Sequence, residues 1–353
     1  MTAFTALSDF LLYIVMALVA GSVALRFTPG HKGREAALPP AVSSLLCIAV
    51  PILAAAPVVQ LAFLLSPEGQ RMRAFVDIAK GFRAGHSFLF VAAAAILLLL
   101  AIRFGASRWI QAALMIAAFS AVAYGSHSAT IHETAGFIAH GVHLTLLSAW
   151  AGIVLLIAWR PGTVPDWRGF LKWFTPLAGS FMAIIIGTGI FLMLLVMNAD
   201  EYAASWILPY GQMLLLKHLG IVPLLAAAGI NAFLADKDHP PAGWLRLESL
   251  MLLLVLLFTS FMSKMAPPHD LDKTFAGEGR APLTKWMTGP VDSPLQAHFT
   301  LQADGIAALF MAVLFLILIP LAERRSLPGW TGIAAGIGFI AAAYLGLMMT
   351  VSF

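Results

Sequence analysis

Apolar runs of about twenty residues recur from one end of this chain to the other, and short polar segments separate them. A run of that length crosses the hydrocarbon core of a bilayer as an α-helix. The pattern therefore predicts an all-α fold, a polytopic transmembrane helical bundle with about ten membrane-spanning helices. The runs cover residues 9–26, 41–65, 84–103, 109–126, 135–159, 173–198, 208–235, 245–264, 298–320 and 330–352.

The composition leaves little room for a soluble domain. Hydrophobic residues make up 60% of the 353 residues and charged residues 11%, and no segment between the runs is long enough to build a core of its own. We therefore expect residues 1–353 to form a single membrane domain, solvated mainly by the lipid bilayer. The longest connection, 265–297, is rich in Pro, Gly and charge, and we expect it to be an outer loop between predicted helices 8 and 9.

Cysteine content, charge and motifs exclude several classes of protein. Cys47, which lies inside a predicted span, is the single cysteine of the sequence. One cysteine cannot form an internal disulfide or a C-x-x-C site. The net charge of +4 is spread over short loops, so no nucleic-acid partner is expected. The sequence contains neither a phosphate-binding P-loop nor a C-x-x-C-H haem attachment site. These features favour a transporter over an enzyme.

Lysine and arginine are distributed unevenly between alternate loops. The odd-numbered loops carry twelve of these residues and the even-numbered loops eight, although the odd-numbered loops are shorter. The positive-inside rule then places the odd-numbered loops in the cytoplasm and both termini on the outer side. In this orientation eight of the ten histidines fall towards the outer side, and only His31 and His239 are cytoplasmic.

This outer set of histidines points to metal handling. Polar side chains in lipid are costly, and imidazole is the commonest metal ligand in proteins. Methionines near the same outer level add soft thioether ligands, which favour copper over zinc or magnesium, although methionine is also a common packing residue. The candidate metal ligands are His86, His127, His132, His140, His143, His218, Met213, Met262 and Met265.

The densest polar segment reads YGSHSATIHETAGFIAHGVHLTLLSAWAG, residues 124–152. Within it Gly136, His140, His143, Leu147 and Trp150 recur at spacings of four and three, so they share one helical face. Two histidines at i and i+3 can point at a common centre. The sequence leaves open the alternative that they hydrogen-bond to a neighbouring helix and hold the bundle together.

Charged and aromatic side chains inside the spans indicate a pathway next to these ligands. Lys217 precedes His218 about two turns into its run, where it either lines a pathway or extends to the outer interface. Asp304 is a candidate partner for Lys217, and Trp150 extends the histidine face. Glu248, near the inner end of its run, is expected to lie at the membrane interface.

Five segments carry a family resemblance, namely GSHSA at 125–129, HGVHLTLLSAWAG at 140–152, FTPLAGSFMAIIIGTGIFLML at 174–194, YGQMLLLKHLGIVPLLAAAGINAF at 210–233 and FTSFMSKMAPP at 258–268. In this order they resemble the CopD-type family of bacterial inner-membrane copper resistance and copper transport proteins. The resemblance covers about residues 120–268, the expected CopD-like core.

The resemblance implies a multi-pass protein of the inner (plasma) membrane that takes copper from the periplasm, so that both termini would be periplasmic. It also implies a periplasmic copper-binding protein as a partner in trans. By matching position, it implies metal contacts at His127, His140 and His143, and Lys217 matches a lysine common at the start of that helix.

The leading hypothesis is copper uptake through a His/Met site at the outer ends of predicted helices 4, 5, 7 and 8, with a copper ion as the bound metal. The alternative is a membrane redox protein with haem b ligated by two histidines drawn from His86, His140, His143 and His218. His140 and His143 lie on one helix, so the two cannot easily ligate opposite faces of one haem. A transporter that binds an anion through Lys217 is a third alternative.

Overall fold

The computed structural model describes residues 2–31, 33–287, 291, 294–300 and 302–353, and it is almost entirely helical there. The helices are α1 (Thr2–Leu25), α2 (Pro40–Ala54), α3 (Ala56–Leu65), α4 (Arg71–Gly81), α5 (Arg83–Arg103), α6 (Arg108–Tyr124), α7 (His127–Ile131), α8 (Glu133–Trp159), α9 (Trp167–Leu194), α10 (Pro209–Gly229), α11 (Ala242–Met262), α12 (Leu271–Glu278), α13 (Thr284–Met287), α14 (Ala303–Arg324) and α15 (Gly329–Thr350). A π-helix, Ile230–Leu234, continues α10.

The predicted all-α membrane bundle is confirmed. Among the described residues, nine helical stretches are long and apolar enough to cross a membrane. The remaining predicted span, 109–126, is the shorter apolar helix α6. The side chain of His31, which we expect in the cytoplasm, lies outside the described part of the chain.

The second predicted span, 41–65, is not one continuous helix but two, α2 and α3, with Ala55 between them. Pro57 explains the break, because it lacks the amide proton that would bond to the carbonyl of Leu53 four residues earlier. The hydroxyl of Ser8 donates to that carbonyl instead, at 3.0 Å. A side chain of α1 thus satisfies the group that the proline leaves open.

Several other boundaries differ from the prediction. The first helix begins at Thr2 rather than at residue 9, so Asp9 lies inside it, and the predicted loop 66–83 contains α4. The predicted span 298–320 begins only at Ala303. Ahead of it, β1 (His298–Phe299) pairs antiparallel with β2 (Val351–Ser352). The connection 265–297 contains α12 and α13, and its residues 288–290, 292 and 293 lie outside the described part.

The chain divides into two compact units, Met1–Leu195 and Val196–Phe353. In the first unit, α1 packs against α8, α2 and α6. The backbones of α1 and α8 meet at Gly21 and Gly152, where a Cβ atom added to Gly152 would lie 1.8 Å from the Ala17 carbonyl oxygen. Small residues at such crossings let membrane helices approach closely.

The second unit is built on α10, α11, α14 and α15. A buried polar group links α10 to α15, since the Tyr344 hydroxyl donates to the side-chain oxygen of Gln212. The amide of Gln212 donates to the carbonyl of Trp206 and lies 3.4 Å from the sulfur of Met348. These bonds fix the first half of α10, where the predicted ligands Met213 and His218 lie.

Candidate metal-binding site

The predicted site residues divide between the two compact units. The first unit carries His86, His127, His132, His140, His143 and Trp150, and the second carries Met213, Lys217, His218, Met262, Met265 and Asp304. Trp150 is only 2% exposed, so it packs within the first unit.

Arg83 organises the turn that carries His127. Its guanidinium donates to the carbonyls of Tyr124 and Ala129, at 2.7 and 2.8 Å, and lies 4.5 Å from the centre of the Tyr124 ring. His127 begins α7 and is exposed, and His132 is the exposed residue between α7 and α8. Arg83 thus packs against the end of α6 and the start of α7.

His86 uses one ring nitrogen for structure. Its Nε2 lies 2.7 Å from the Lys80 carbonyl oxygen, which can only accept, so Nε2 carries the proton. A metal could therefore reach the neutral ring only through Nδ1. Ligation of haem through Nε2 of His86 would require this bond to break.

His143 is oriented by a side chain of the neighbouring helix α9. Its Nδ1 lies 3.0 Å from the hydroxyl oxygen of Thr188, whose own proton is donated to the Ile184 carbonyl at 2.7 Å. Nδ1 of His143 must therefore donate, and Nε2 is the basic nitrogen of the ring. Gly189 leaves space for this arrangement, because an added Cβ would lie 3.3 Å from Cε1 of His143. A second interaction that fixes the tautomer in this way is typical of metal-binding histidines.

An acidic residue of α1 lies at the depth of His140. The ends of α1 and α8 lie together, because Ser22 accepts from the amide of Leu38 and Arg160 donates to the carbonyl of Ala36 nearby. The two helices therefore run parallel. Asp9 and His140 each precede the Gly21–Gly152 contact by twelve residues, or about 18 Å along the helix axis.

Asp9 is buried, at 8% exposure. If ionised, the Asp9 carboxyl group would add negative charge at the level of the α8 histidines and would favour a cation there.

In the second unit, His218 is held by an aromatic hydroxyl. The Tyr202 oxygen lies 2.7 Å from Nδ1 of His218, and their ring centres are 5.6 Å apart. Burial raises the pKa of Tyr202 to about 12, so the hydroxyl keeps its proton and can donate it to Nδ1. His218 is thereby fixed in orientation by a residue that precedes α10.

The other candidate residues of the second unit are two charged residues and three methionines. Lys217 is partly buried and Asp304 is exposed at the start of α14. They form no ion pair with each other in the described part of the chain, so this suggested pairing is wrong. Met262 ends α11, and the amide of Met265 bonds to its carbonyl at 3.1 Å in the turn that follows. Met262, Met265 and Met213 are all partly buried.

No group of three or more His, Cys, Asp or Glu side chains that could hold a metal ion occurs among the described residues. What the first unit offers is a pair of histidines one turn apart on α8, one of them oriented by Thr188. Imidazole nitrogen is a ligand that copper, zinc, iron and nickel accept.

Sequence reasoning missed Thr188, Tyr202 and the position of Asp9. Thr188 lies 45 residues from His143 in sequence, inside an otherwise apolar helix, and a lone threonine there carries no signal of its own. Asp9 was the first residue of the predicted span 9–26, whereas the helix begins at Thr2 and places Asp9 inside it. The apolar and small residues TAFTALS at 2–8, ahead of Asp9, were the signal available.

Comparison with protein families matches residues 168–262 to the family described as copper resistance protein D. The matched region contains Thr188, Met213, Lys217, His218 and Met262, and it lies within the segment 120–268 on which the resemblance was based. Comparisons with curated proteins and with solved structures find no significant match. Residues 168–262 are thus similar to the copper resistance protein D family, and the spans of the described residues are those of a multi-pass membrane protein.

Proposed function

We propose that this chain takes up copper from the periplasm across the bacterial inner membrane, with the histidines of α8 as the first ligands inside the bilayer. The observation that carries the proposal is the bond between His143 and Thr188, which leaves Nε2 as the basic ring nitrogen. Copper is the transported substrate here, and a periplasmic copper-binding protein would deliver it.

Three features support an entry path in the first unit. His127 and His132 are exposed just ahead of α8, and His140 and His143 follow about two and three turns into it. Asp9, at the level of His140, would favour a cation at that depth when it is ionised. Since the sequence has no phosphate-binding loop, copper would move down a gradient or towards a cytoplasmic acceptor.

Substitution of the α8 histidines tests this function. We expect His140→Ala and His143→Ala each to lower copper bound by the purified protein and copper accumulated by cells at least about tenfold, the effect typical of disturbing metal ligation. His269→Ala is the matched control, because His269 is an exposed histidine of the connection 265–297. Metal is measured by elemental mass spectrometry, and folding by thermal unfolding in detergent.

Two outcomes would contradict the proposal. If the α8 variants lose thermal stability but keep their copper content, the histidines hold the helices together and do not bind the metal. If the wild-type protein carries stoichiometric iron and little copper, the haem alternative replaces copper transport.

A further inference from the structure

A buried acidic side chain lies at the end of the second unit where α10 passes into the π-helix. Glu248 of α11 is 4% exposed and Asn231 of the π-helix is 5% exposed. The side-chain nitrogen of Asn231 donates to Oε2 of Glu248 at 2.7 Å. Glu248, which we expect near the membrane interface, is therefore buried inside the helix packing.

No cation compensates this carboxyl group. Its hydrogen bond from Asn231 is its one polar interaction in the described part of the chain, and it forms no ion pair there. Lys237, the nearest lysine in sequence after the π-helix, donates instead to the Ala232 carbonyl at 2.6 Å. A buried carboxylate without a positive partner is costly, and neutralisation by a proton removes that cost.

The surrounding elements supply no other charge that faces Glu248. On its own helix, Arg246 is exposed. On α10, Lys217 and His218 precede Asn231 by thirteen residues or more, about 20 Å along the axis. The packed helix α15 has Tyr344 as its titratable residue, and it bonds to Gln212. The end of α14, which contacts the π-helix, carries Glu323 and Arg324.

The side-chain oxygen of Asn231 independently indicates that a hydrogen-bond donor is needed beside it. Its side-chain oxygen is buried and has no hydrogen-bond partner in the described part of the chain. A carboxylate cannot donate to that oxygen, whereas a carboxylic acid can. A proton on Glu248 would thus serve both the carboxyl group and the oxygen that Asn231 leaves unsatisfied.

The local backbone suits an exchangeable site. A π-helix shifts the hydrogen-bond pattern of a helix and occurs frequently at functional sites. The chain leaves it at Ala235 and reaches the exposed residue Asp236 one position later, five residues beyond Asn231. The buried side chain of Asn231 is therefore only five residues from a residue that solvent reaches.

From these observations we infer that Glu248 and Asn231 form a proton-binding site at this end of the second unit. The ligand is a proton carried on the Glu248 carboxyl group, and Asn231 holds the carboxyl group in place. The site is separate from the histidines of α8, so it gives the protein a second ion to bind, independently of whether copper is the substrate.

Infrared spectroscopy of the full-length protein in lipid tests the site directly. At neutral pH the wild-type spectrum should contain a carboxylic-acid C=O band that Glu248→Gln abolishes. The control Glu278→Gln, which changes an exposed carboxylate at the end of α12, should leave the band intact. Asn231→Ala keeps the acid but removes its partner, so it should shift the band without abolishing it.

Thermal unfolding gives the second readout. Raising the pH removes the proton and leaves a charge in the apolar interior, so wild type should lose stability relative to Glu248→Gln as the pH rises. An identical carboxylic-acid region in wild type and Glu248→Gln would overturn the inference, because Glu248 would then be ionised. Stabilisation of wild type by added sodium ions, absent in Glu248→Gln, would overturn it in favour of a metal cation. If Glu248→Gln does not fold, the shift of the carboxylic-acid band in Asn231→Ala tests the inference: an unchanged band would overturn it.

Discussion

Gly152→Ala should cause the largest loss of stability of any single methyl group added to the first unit. The new Cβ would lie 1.8 Å from the carbonyl oxygen of Ala17 and 2.7 Å from the amide nitrogen of Gly21, and both are backbone atoms of α1. Backbone cannot rotate out of the way, so the helices must separate. Overpacking typically costs about 1–3 kcal/mol, and we expect about 3 kcal/mol or more here. Thermal unfolding and the folded yield in detergent measure the loss.

Gly187→Ala is the matched control for this substitution. Gly187 lies in α9 of the same unit, and no atom would lie within 4 Å of its added Cβ. Alanine is favoured over glycine in a helix by about 1 kcal/mol, so Gly187→Ala should be neutral or stabilising. Equal stability of the two variants would show that α1 and α8 are not held at the Gly21–Gly152 contact.

Much of the fold could be predicted because each span is recognisable from its length and hydrophobicity alone. The backbone N–H and C=O groups of a helix such as α15 are hydrogen-bonded within the helix, so its formation does not depend on its neighbours. The break between α2 and α3 was harder, although Pro57 was visible, because proline within a membrane helix is often tolerated. The hydroxyl of Ser8 that replaces the lost bond comes from 45 residues away.

The candidate site was less predictable than the fold because it depends on contacts between helices. Histidines were identifiable as costly residues in lipid, but the residues that bond to them carry no such signal in the sequence. Thr188 became significant only when α9 placed it beside His143. Asn231 and Glu248 similarly lie 17 residues apart on different helical segments, and nothing in either sequence segment indicates that they meet. Such pairings depend on tertiary packing, which hydrophobic periodicity does not specify.

Thr188→Val should lower the affinity for copper about 10–100-fold if His143 is a ligand, as proposed above. Valine keeps the shape of threonine but removes the oxygen that accepts from Nδ1 of His143. The ring then loses the bond that fixes its tautomer and direction. Copper titration of the purified variant, followed by elemental analysis after gel filtration, measures the change in affinity.

Thr145→Val separates this effect from the general loss of a hydroxyl in a membrane helix. Thr145 donates to the Gly141 carbonyl of its own helix at 2.7 Å, just as Thr188 donates to Ile184, but it makes no hydrogen bond to a histidine. We expect Thr145→Val to bind copper like wild type, and Thr188→Ser, which keeps the oxygen, to recover most of the affinity. If Thr188→Val binds copper as tightly as Thr145→Val while His143→Ala does not, His143 ligates copper without needing Thr188. If all three variants bind like wild type, the bond between His143 and Thr188 serves only to join α8 to α9.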